Sequence, residues 1–140
     1  MKSGESVPEL RVVPGRLLPH RYAGATGDFN PIHVDPESAR ARGQPHNILH
    51  GLYMLTVLAR AMAEVGDGDP RRLRRISARF EAPGFADREL RVEGRVSEID
   101  DGRATVEAKL VQDGTDVVTA EAEVAARGSR LVRQPASRRG

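Results

Sequence analysis

The chain has 140 residues, the length of one domain, and no cysteine, which excludes disulfides, thiolate nucleophiles and cysteine-ligated metals and fits a reducing cytoplasm. Its formal net charge is only +2, although the sequence pI is about 9.5. With three Phe, two Tyr and no Trp it offers few rings for stacking on bases, so we expect no nucleic-acid binding.

Nothing in the sequence has the pattern of a signal peptide or a membrane span. The first residues, MKSGESVPEL, lack an apolar core. The most apolar stretch, residues 49–65, is interrupted by Arg60 and Glu64 and falls short of the roughly 20 apolar residues that span a bilayer. We therefore expect a soluble, cytoplasmic protein that does not bind membranes.

We expect a single domain over residues 9–126, flanked by two disordered ends. Residues 1–8 form a short polar N-terminus. Residues 127–140, RGSRLVRQPASRRG, are basic, contain few apolar side chains and show no periodicity, which is typical of a disordered tail.

The first part of the domain is predicted to contain short secondary-structure elements. Residues 9–13 suit a short strand, and residues 15–22 a short helical segment that tolerates Pro19 only near its first turn. A loop, YAGATGDFNPIHVD, covers residues 22–35. Residues 36–42 suit a helical turn, because Pro begins the segment and Gly follows it.

The second part contains one helix and then strands. Residues 49–65 are apolar on nearly every side, which predicts a helix wrapped by other elements. Apolar residues then alternate with polar ones, which predicts half-buried strands. These runs cover residues 76–82, 90–97, 104–110 and 118–124, and the DDG and DGTD segments at 100–102 and 113–116 are typical of hairpin turns.

These elements predict an α+β fold. One buried helix lies ahead of an antiparallel meander, and inward positions rich in Ala, with Gly94 in mid-strand, suit a sheet that bends closely around the helix. We therefore expect a single hot-dog domain, in which an antiparallel sheet wraps around a long central helix.

Within the 22–35 segment, Asp28 and His33 lie five positions apart across an Asn30-Pro31 step. Such a stretch on its own is typical of a structural turn, because Gly and Asp favour turns and Pro31 fixes its own φ. An extended loop would instead let both side chains converge on one point, whereas a helix would set them about 140° apart. The residues alone leave a turn and an active site as alternatives.

The residues around this pair resemble a family signature. Followed by HGLYM and the apolar helix, they are similar to the MaoC-like hydratases and dehydratases, also called (R)-specific enoyl hydratases. The matching residues are Tyr22, Thr26, Gly27, Asp28, Asn30, Pro31, Ile32, His33 and Ala39. The resemblance covers residues 9–126 and favours an active site over a turn.

The resemblance implies a substrate, a reaction and a site. The substrate is an acyl thioester on coenzyme A or acyl carrier protein, with no further cofactor. Water adds reversibly, in syn fashion, to a trans-2-enoyl group and gives the (R)-3-hydroxyacyl thioester. Asp28 and His33 hold the reacting water, and Gly51 donates its backbone N–H to the thioester carbonyl. Asn30 is expected to brace the loop and Tyr22 to pack; which of Asp28 and His33 handles which proton is left open.

The remaining histidines do not predict a metal site. His46 and His50 are four positions apart, but Asn47 replaces the Glu of the HExxH zinc motif and Pro45 precedes His46. We expect His50 to shape the start of the apolar helix.

A cluster of arginines has two interpretations. The cluster consists of Arg71, Arg72, Arg74 and Arg75. These side chains are either solvated loop charges or a docking patch for coenzyme A phosphates or an acidic carrier protein, since Arg makes bidentate phosphate contacts.

One unit of this size exposes a sheet edge, so we expect a dimer that joins sheets edge to edge, with itself or with a paralogous subunit. Two alternatives to a hydratase are a hot-dog acyl thioesterase and a non-catalytic, acyl-binding partner subunit. The presence of both Asp28 and His33 favours the catalytic kind.

Overall fold

The computed structural model describes residues 1–126, and the predicted basic tail at 127–140 lies outside them. A single sheet of five antiparallel strands has the spatial order β1-β3-β4-β5-β2. The strands are β1 (Leu10–Val12), β2 (Leu73–Phe80), β3 (Leu90–Asp100), β4 (Arg103–Gln112) and β5 (Thr115–Ala125). The helices are α1 (Leu18–Thr26), α2 (Pro31–Val34), α3 (Pro36–Ala41) and α4 (Gly51–Ala63), followed by single 3-10 turns at Glu64–Gly66 and Pro70–Arg72.

The predicted meander is confirmed in β3, β4 and β5. Two tight turns join these strands, with positive φ at Asp101 (45°) and Gly102 (71°) and again at Asp113 (50°) and Gly114 (75°). Two consecutive residues with positive φ define the hairpin turn whose twist matches that of the flanking strands. The alternation of buried and exposed residues along β4 follows from this register.

The concave face of the sheet packs against α4 and confirms the predicted hot-dog arrangement. The buried residues of α4 are Met54, Val57, Leu58, Ala61, Met62 and Ala63. The helix is not enclosed on all sides, however, because Leu52, Thr56 and Arg60 form an exposed stripe along it. Leu52, predicted to be buried, is 64% exposed.

Gly94 lies where β3 and β4 approach closely. A Cβ at this position would come within 2.7 Å of the Cβ of Ala108 and of the carbonyl oxygen of Glu107, so a side chain would force the strands apart. Only glycine fits this contact, which explains the glycine in mid-strand.

The N-terminus differs from the prediction of disorder over residues 1–8. The N–H of Gly4 donates to the carbonyl of Val96 (2.8 Å) and the N–H of Val7 donates to that of Gly94 (2.8 Å). Val7 is buried in the core. The physical reason is that β1 pairs with only three residues of β3, so the preceding segment satisfies the exposed backbone groups that remain on β3.

Among the described residues, no helix has the length and apolar character needed to cross a lipid bilayer.

Candidate active site

The loop that carries Asp28 begins where α1 ends. The predicted helical segment at 15–22 is displaced and longer, because α1 continues to Thr26, whose hydroxyl donates to the carbonyl of Tyr22 (2.8 Å). Gly27 then adopts φ 79° and its N–H donates to the carbonyl of Ala23 (2.8 Å). A left-handed residue at this position is the usual way to end a helix, and it turns the chain towards Asp28.

The residues between Asp28 and His33 are not the extended loop that we predicted. Asn30 caps a helical turn, α2, by accepting a hydrogen bond from the N–H of Ile32 (3.3 Å), and Pro31 occupies the first helical position. This arrangement follows from capping chemistry, since Asn and Pro are both preferred at these two positions. Asn30 therefore caps α2, and His33 lies on this helical turn.

The structure brings Asp28 and His33 face to face. Oδ1 of Asp28 accepts the N–H of Asn30 (3.2 Å), which leaves Oδ2 directed at His33, 3.9 Å from its Nε2. The Asp28 side chain is 52% exposed and that of His33 only 12%. Because 3.9 Å exceeds the length of a direct hydrogen bond, the two groups do not bond to each other, and one oxygen atom placed beside them can lie within hydrogen-bond distance of both.

The second ring nitrogen of His33 fixes its orientation. Nδ1 donates to the carbonyl of Ile48 (2.8 Å), and the N–H of Ile48 in turn donates to the carbonyl of Ile32 (3.2 Å). A carbonyl accepts only, so Nδ1 carries its proton in both the neutral and the charged ring. Nε2, the atom that faces Asp28, is therefore the nitrogen that gains and loses a proton.

His50 joins this pair, which sequence reasoning did not predict. It is 1% exposed, and its Nε2 donates to the backbone carbonyl of Asp28 (3.0 Å). Its ring stacks on that of His33 at 3.9 Å and lies 4.8 Å from the ring of Tyr22. Its Nδ1 is the one buried side-chain polar atom without a hydrogen-bond partner in residues 1–126. His50 thus supports both members of the pair.

Gly51 begins α4 beside this cluster. The preceding residue, His50, makes no side-chain cap, and within the described chain no acceptor binds the Gly51 N–H. A Cβ at Gly51 would lie 3.1 Å from the ring of Phe80, at the end of β2. The start of α4 therefore presents a free backbone N–H at the positive end of the helix dipole. Because residue 51 has no side chain, the space between this N–H and the Phe80 ring stays open.

The cluster of Asp28, His33 and His50 has metal-ligand residue types, with one donor atom from each lying within 4.8 Å of the others. Its geometry does not suit a metal ion, however. The two imidazole planes are stacked 23° from parallel, so their in-plane lone pairs do not point at a common centre. One nitrogen of each ring is also engaged by a carbonyl. His46 lies apart and meets the Phe85 ring edge-on.

Two neighbouring groups have shifted pKa values. Asp35 caps α3, and its hydrogen bond from the Ser38 hydroxyl (2.7 Å) holds the pKa of the carboxyl below its usual value. Burial raises the pKa of the Tyr53 phenol, whose ring meets Tyr22 edge-on at 5.9 Å. Tyr22 therefore packs between His50 and Tyr53, in agreement with its predicted packing role.

The family profile described as the MaoC like domain matches residues 18–121, which include the loop, the cluster and three of the long strands. This chain belongs to the MaoC-like dehydratase family.

Curated relatives of this MaoC-like domain are longer proteins. The peroxisomal enoyl-CoA hydratase 2 of Arabidopsis thaliana is 42% identical over 76 residues, 54% of this chain and 24% of the relative. The fatty acid synthase subunit beta of Aspergillus oryzae is 36% identical over 112 residues, 77% of this chain and 6% of the relative. The chain thus spans a quarter or less of these two proteins.

Solved structures share the fold over nearly the whole MaoC-like domain. A chain of the ChsH1-ChsH2 complex from Mycobacterium tuberculosis has a TM-score of 0.81 at 26% identity, covering 91% of this chain and 99% of its own. The (R)-hydratase of A. caviae involved in PHA biosynthesis also has a TM-score of 0.81, at 24% identity, covering 91% of this chain and 98% of its own. The second match is evidence for the hot-dog fold alone.

A cavity of about 590 Å³ in this MaoC-like domain reaches His33. Its lining comes from the start of α1, from α3 and from the segment before β3. The lining residues are Arg16, Leu17, Pro19, His20, His33, Pro36, Arg40, His46, Asn47, Ala86, Asp87 and Arg88. These residues are far apart in sequence, so no local pattern could have predicted the cavity.

The arginine cluster lies elsewhere in the MaoC-like domain. A Cβ at Gly66, just past the end of α4, would lie 2.9 Å from the Cβ of Arg72, which places the cluster at the opposite end of this helix from Gly51. The 13 residues of α4 correspond to about 20 Å. Arg71 is held by both carboxylate oxygens of Asp69, which lowers the pKa of Asp69 to about 2. The docking role of Arg71, Arg72, Arg74 and Arg75 stays a prediction.

Proposed function

We propose that this chain catalyses the reversible hydration of trans-2-enoyl thioesters, carried on coenzyme A or acyl carrier protein, to (R)-3-hydroxyacyl thioesters. The observation that carries the proposal is the approach of Asp28 Oδ2 to within 3.9 Å of His33 Nε2, beside the uncapped start of α4. Membership of the MaoC-like family and the enoyl-CoA hydratases among the curated relatives support it.

Asp28 and His33 supply the acid and base that the reaction needs. Hydration adds the oxygen of water to C3 and a proton to C2, so one group takes a proton from water while another gives one to carbon. A pair that shares a single proton does both, and the two members exchange roles in the reverse direction. The fixed Nδ1–H of His33 makes Nε2 the exchanging atom, and each positioned group contributes roughly 10²- to 10⁴-fold.

The Gly51 N–H stabilises the charge that develops on the thioester carbonyl. As the C2 carbanion character grows, negative charge moves onto the carbonyl oxygen, and a fixed donor at a helix start stabilises it without reorganisation. One such donor lowers the barrier by about 3 kcal/mol. The reaction involves no net redox change, so it needs no redox cofactor, and the thiol carrier belongs to the substrate.

The test is hydration of crotonyl-coenzyme A by the purified chain, followed by loss of enoyl thioester absorbance and chiral separation of the product. We expect an (R) product. Asp28→Asn and His33→Ala should each lower kcat by at least about two decades and leave the far-UV circular dichroism spectrum unchanged. Glu37→Gln, an exposed acid in the first turn of α3, is the matched control and should retain full activity. Wild-type rates in either pair variant would rule out the assigned roles.

The same assay separates the two alternatives. A thioesterase would release free thiol without forming the hydroxyacyl product. A non-catalytic partner subunit would show no turnover alone and would restore activity when mixed with a catalytic paralogue; the neighbour found in the two-component ChsH1-ChsH2 complex is the observation that favours testing this alternative.

A further inference from the structure

The cavity that reaches His33 has a positive lining. Three arginines, Arg16, Arg40 and Arg88, line it, whereas Asp87 is the only acid in its lining among residues 1–126. Like charges gathered around one space repel each other, and an anion placed between them removes that repulsion. The lining therefore favours an anionic ligand.

Two of these arginines are available to a ligand. Within residues 1–126, the Arg16 side chain makes no hydrogen bond or ion pair, and Arg40 acts on Asp35 only through space. Arg88 is already engaged, because it pairs with Asp113 at 3.3 Å and lies 5.1 Å above the Phe85 ring. An anion in the cavity would thus find Arg16 and Arg40 with free donors.

We propose that Arg16 and Arg40 bind the phosphate groups of the thioester carrier in this cavity, an inference that rests on the proposed function. Arginine matches phosphate geometry with two parallel hydrogen bonds. His33 lines the same cavity, whereas Asp28 and Gly51 do not, so phosphates bound at the arginines would hold the carrier next to the imidazole. Its volume of about 590 Å³ lies within the range of roughly 300–1,000 Å³ that is usual for ligand sites.

This assignment differs from the docking patch predicted from the sequence. Arg71 is bound by Asp69, and Arg72 donates to the carbonyl of Ala126. The cluster also lies at the end of α4 opposite Gly51, about 20 Å along the helix. The cavity arginines combine free donors with proximity to His33, which the cluster does not.

The experiment compares crotonyl thioesters whose carriers differ only in phosphate content. Coenzyme A has three phosphates, 4′-phosphopantetheine has one and pantetheine has none. We expect the KM of the wild type to rise along this series while kcat changes little. Arg16→Ala/Arg40→Ala should raise the KM for crotonyl-coenzyme A at least about tenfold and leave the KM for crotonyl-pantetheine unchanged.

The series also identifies the source of the phosphate. An effect of the double variant on the phosphopantetheine thioester as large as that on the coenzyme A thioester assigns the site to the phosphate that carrier proteins share. An effect confined to coenzyme A assigns it to the nucleotide phosphates. Arg95→Ala/Arg103→Ala, which removes the same charge from the outer face of β3 and β4, is the control and should change neither KM.

Three results would overturn the inference. They are equal wild-type KM values for all three carriers, an equal rise in KM on all three in the Arg16/Arg40 variant, and a larger rise from Arg74→Ala/Arg75→Ala than from that variant. If no thioester is hydrated, the proposed function fails, and calorimetric titration with coenzyme A and with pantetheine still tests the site. Tighter binding of coenzyme A that is lost in the Arg16/Arg40 variant supports the inference without turnover.

Discussion

At the scale of residues, the two stacked imidazoles, those of His33 and His50, make different contacts and have different proposed roles. His33 has Nδ1 bound to a carbonyl and Nε2 directed at Asp28, so in the proposed reaction it exchanges protons in a fixed orientation. His50 is buried, donates to the Asp28 backbone and packs flat against His33. A buried residue that contacts both members of a pair acts through their positions.

Substitutions at His50 separate its hydrogen bond from its ring. His50→Phe keeps a stacked ring and loses the donor to Asp28, whereas His50→Gln keeps an N–H donor at a similar reach. We expect His50→Phe to lower kcat about tenfold with little change in KM, and His50→Gln to lose less. Steady-state kinetics on crotonyl-coenzyme A would measure both. An unchanged kcat in His50→Phe would show that the hydrogen bond does not carry the effect.

The resemblance to the MaoC-like family, which rests on one short segment, pointed to Asp28, His33 and Asn30, and their roles stay predictions. Local chemistry was misread there, because the capping residues Asn30 and Pro31 form a helical turn and not an extended loop. The contact between His50 and Asp28 spans 22 positions, and Arg16, Arg40 and Arg88 line one cavity only because the segments before α1 and β3 pack near α3. Such contacts depend on the tertiary fold, so no spacing in the chain indicates them.

At the scale of elements, the first residue of α4, Gly51, has a backbone N–H without an acceptor in residues 1–126 and lies close to the Phe80 ring. His50 has φ −62° and ψ 134°, an extended conformation that is also compatible with a following proline. Proline is tolerated at the first helical position, where no N–H is needed for the helix. Gly51 can therefore be replaced to remove its donor without breaking the helix.

Gly51→Pro tests the N–H directly. We expect a folded protein whose kcat falls about 10²- to 10³-fold, the usual cost of one lost oxyanion donor. Gly51→Ala is the matched control, since it introduces the same Cβ near Phe80 but keeps the N–H. Turnover of crotonyl-coenzyme A measures kcat for each variant, and a thermal melt checks that each variant is folded. A loss in Gly51→Ala equal to that in Gly51→Pro would assign the effect to crowding by Phe80 instead.

The sequence predicted secondary-structure elements correctly where the apolar pattern repeats over many residues. The strands of the meander and α4 each repeat their pattern over several turns or pleats, so their positions agree with the structure. Short elements depend on a few bonds instead. The four residues of α2 are held by one cap and one proline, and residues 4–7 pair with β3 only because that strand is longer than β1.

At the scale of the whole molecule, apolar side chains remain exposed around the active site. Phe29, Leu52 and Phe80 are 61%, 64% and 51% exposed, and all three lie beside Asp28 or Gly51 in sequence or in space. Among residues 1–126, the nearby strand β2 pairs with β5 alone. Exposed apolar residues next to an open strand mark a surface that a second hot-dog subunit is expected to cover.

Leu52→Asp should weaken this predicted dimer. The substitution places a charge on the exposed surface, yet an acid in the first turn of a helix is favourable, so α4 itself is not destabilised. Ile99→Asp, at a 37% exposed apolar residue near the far end of β3, is the control. By sedimentation velocity we expect dimers for the wild type and Ile99→Asp, and monomers for Leu52→Asp. A monomeric wild type would contradict the prediction.

The two borders of the sheet are unequal, which limits how copies can assemble. β2 offers eight residues, whereas β1 has three and is flanked by Pro8 and Pro14, which cannot donate to a neighbouring strand. Copies joined through β2 are related by a two-fold axis, so each uses up the only long border it has. An assembly formed in this way is a closed dimer, and residues 1–126 offer no second long strand edge to which a further copy could add.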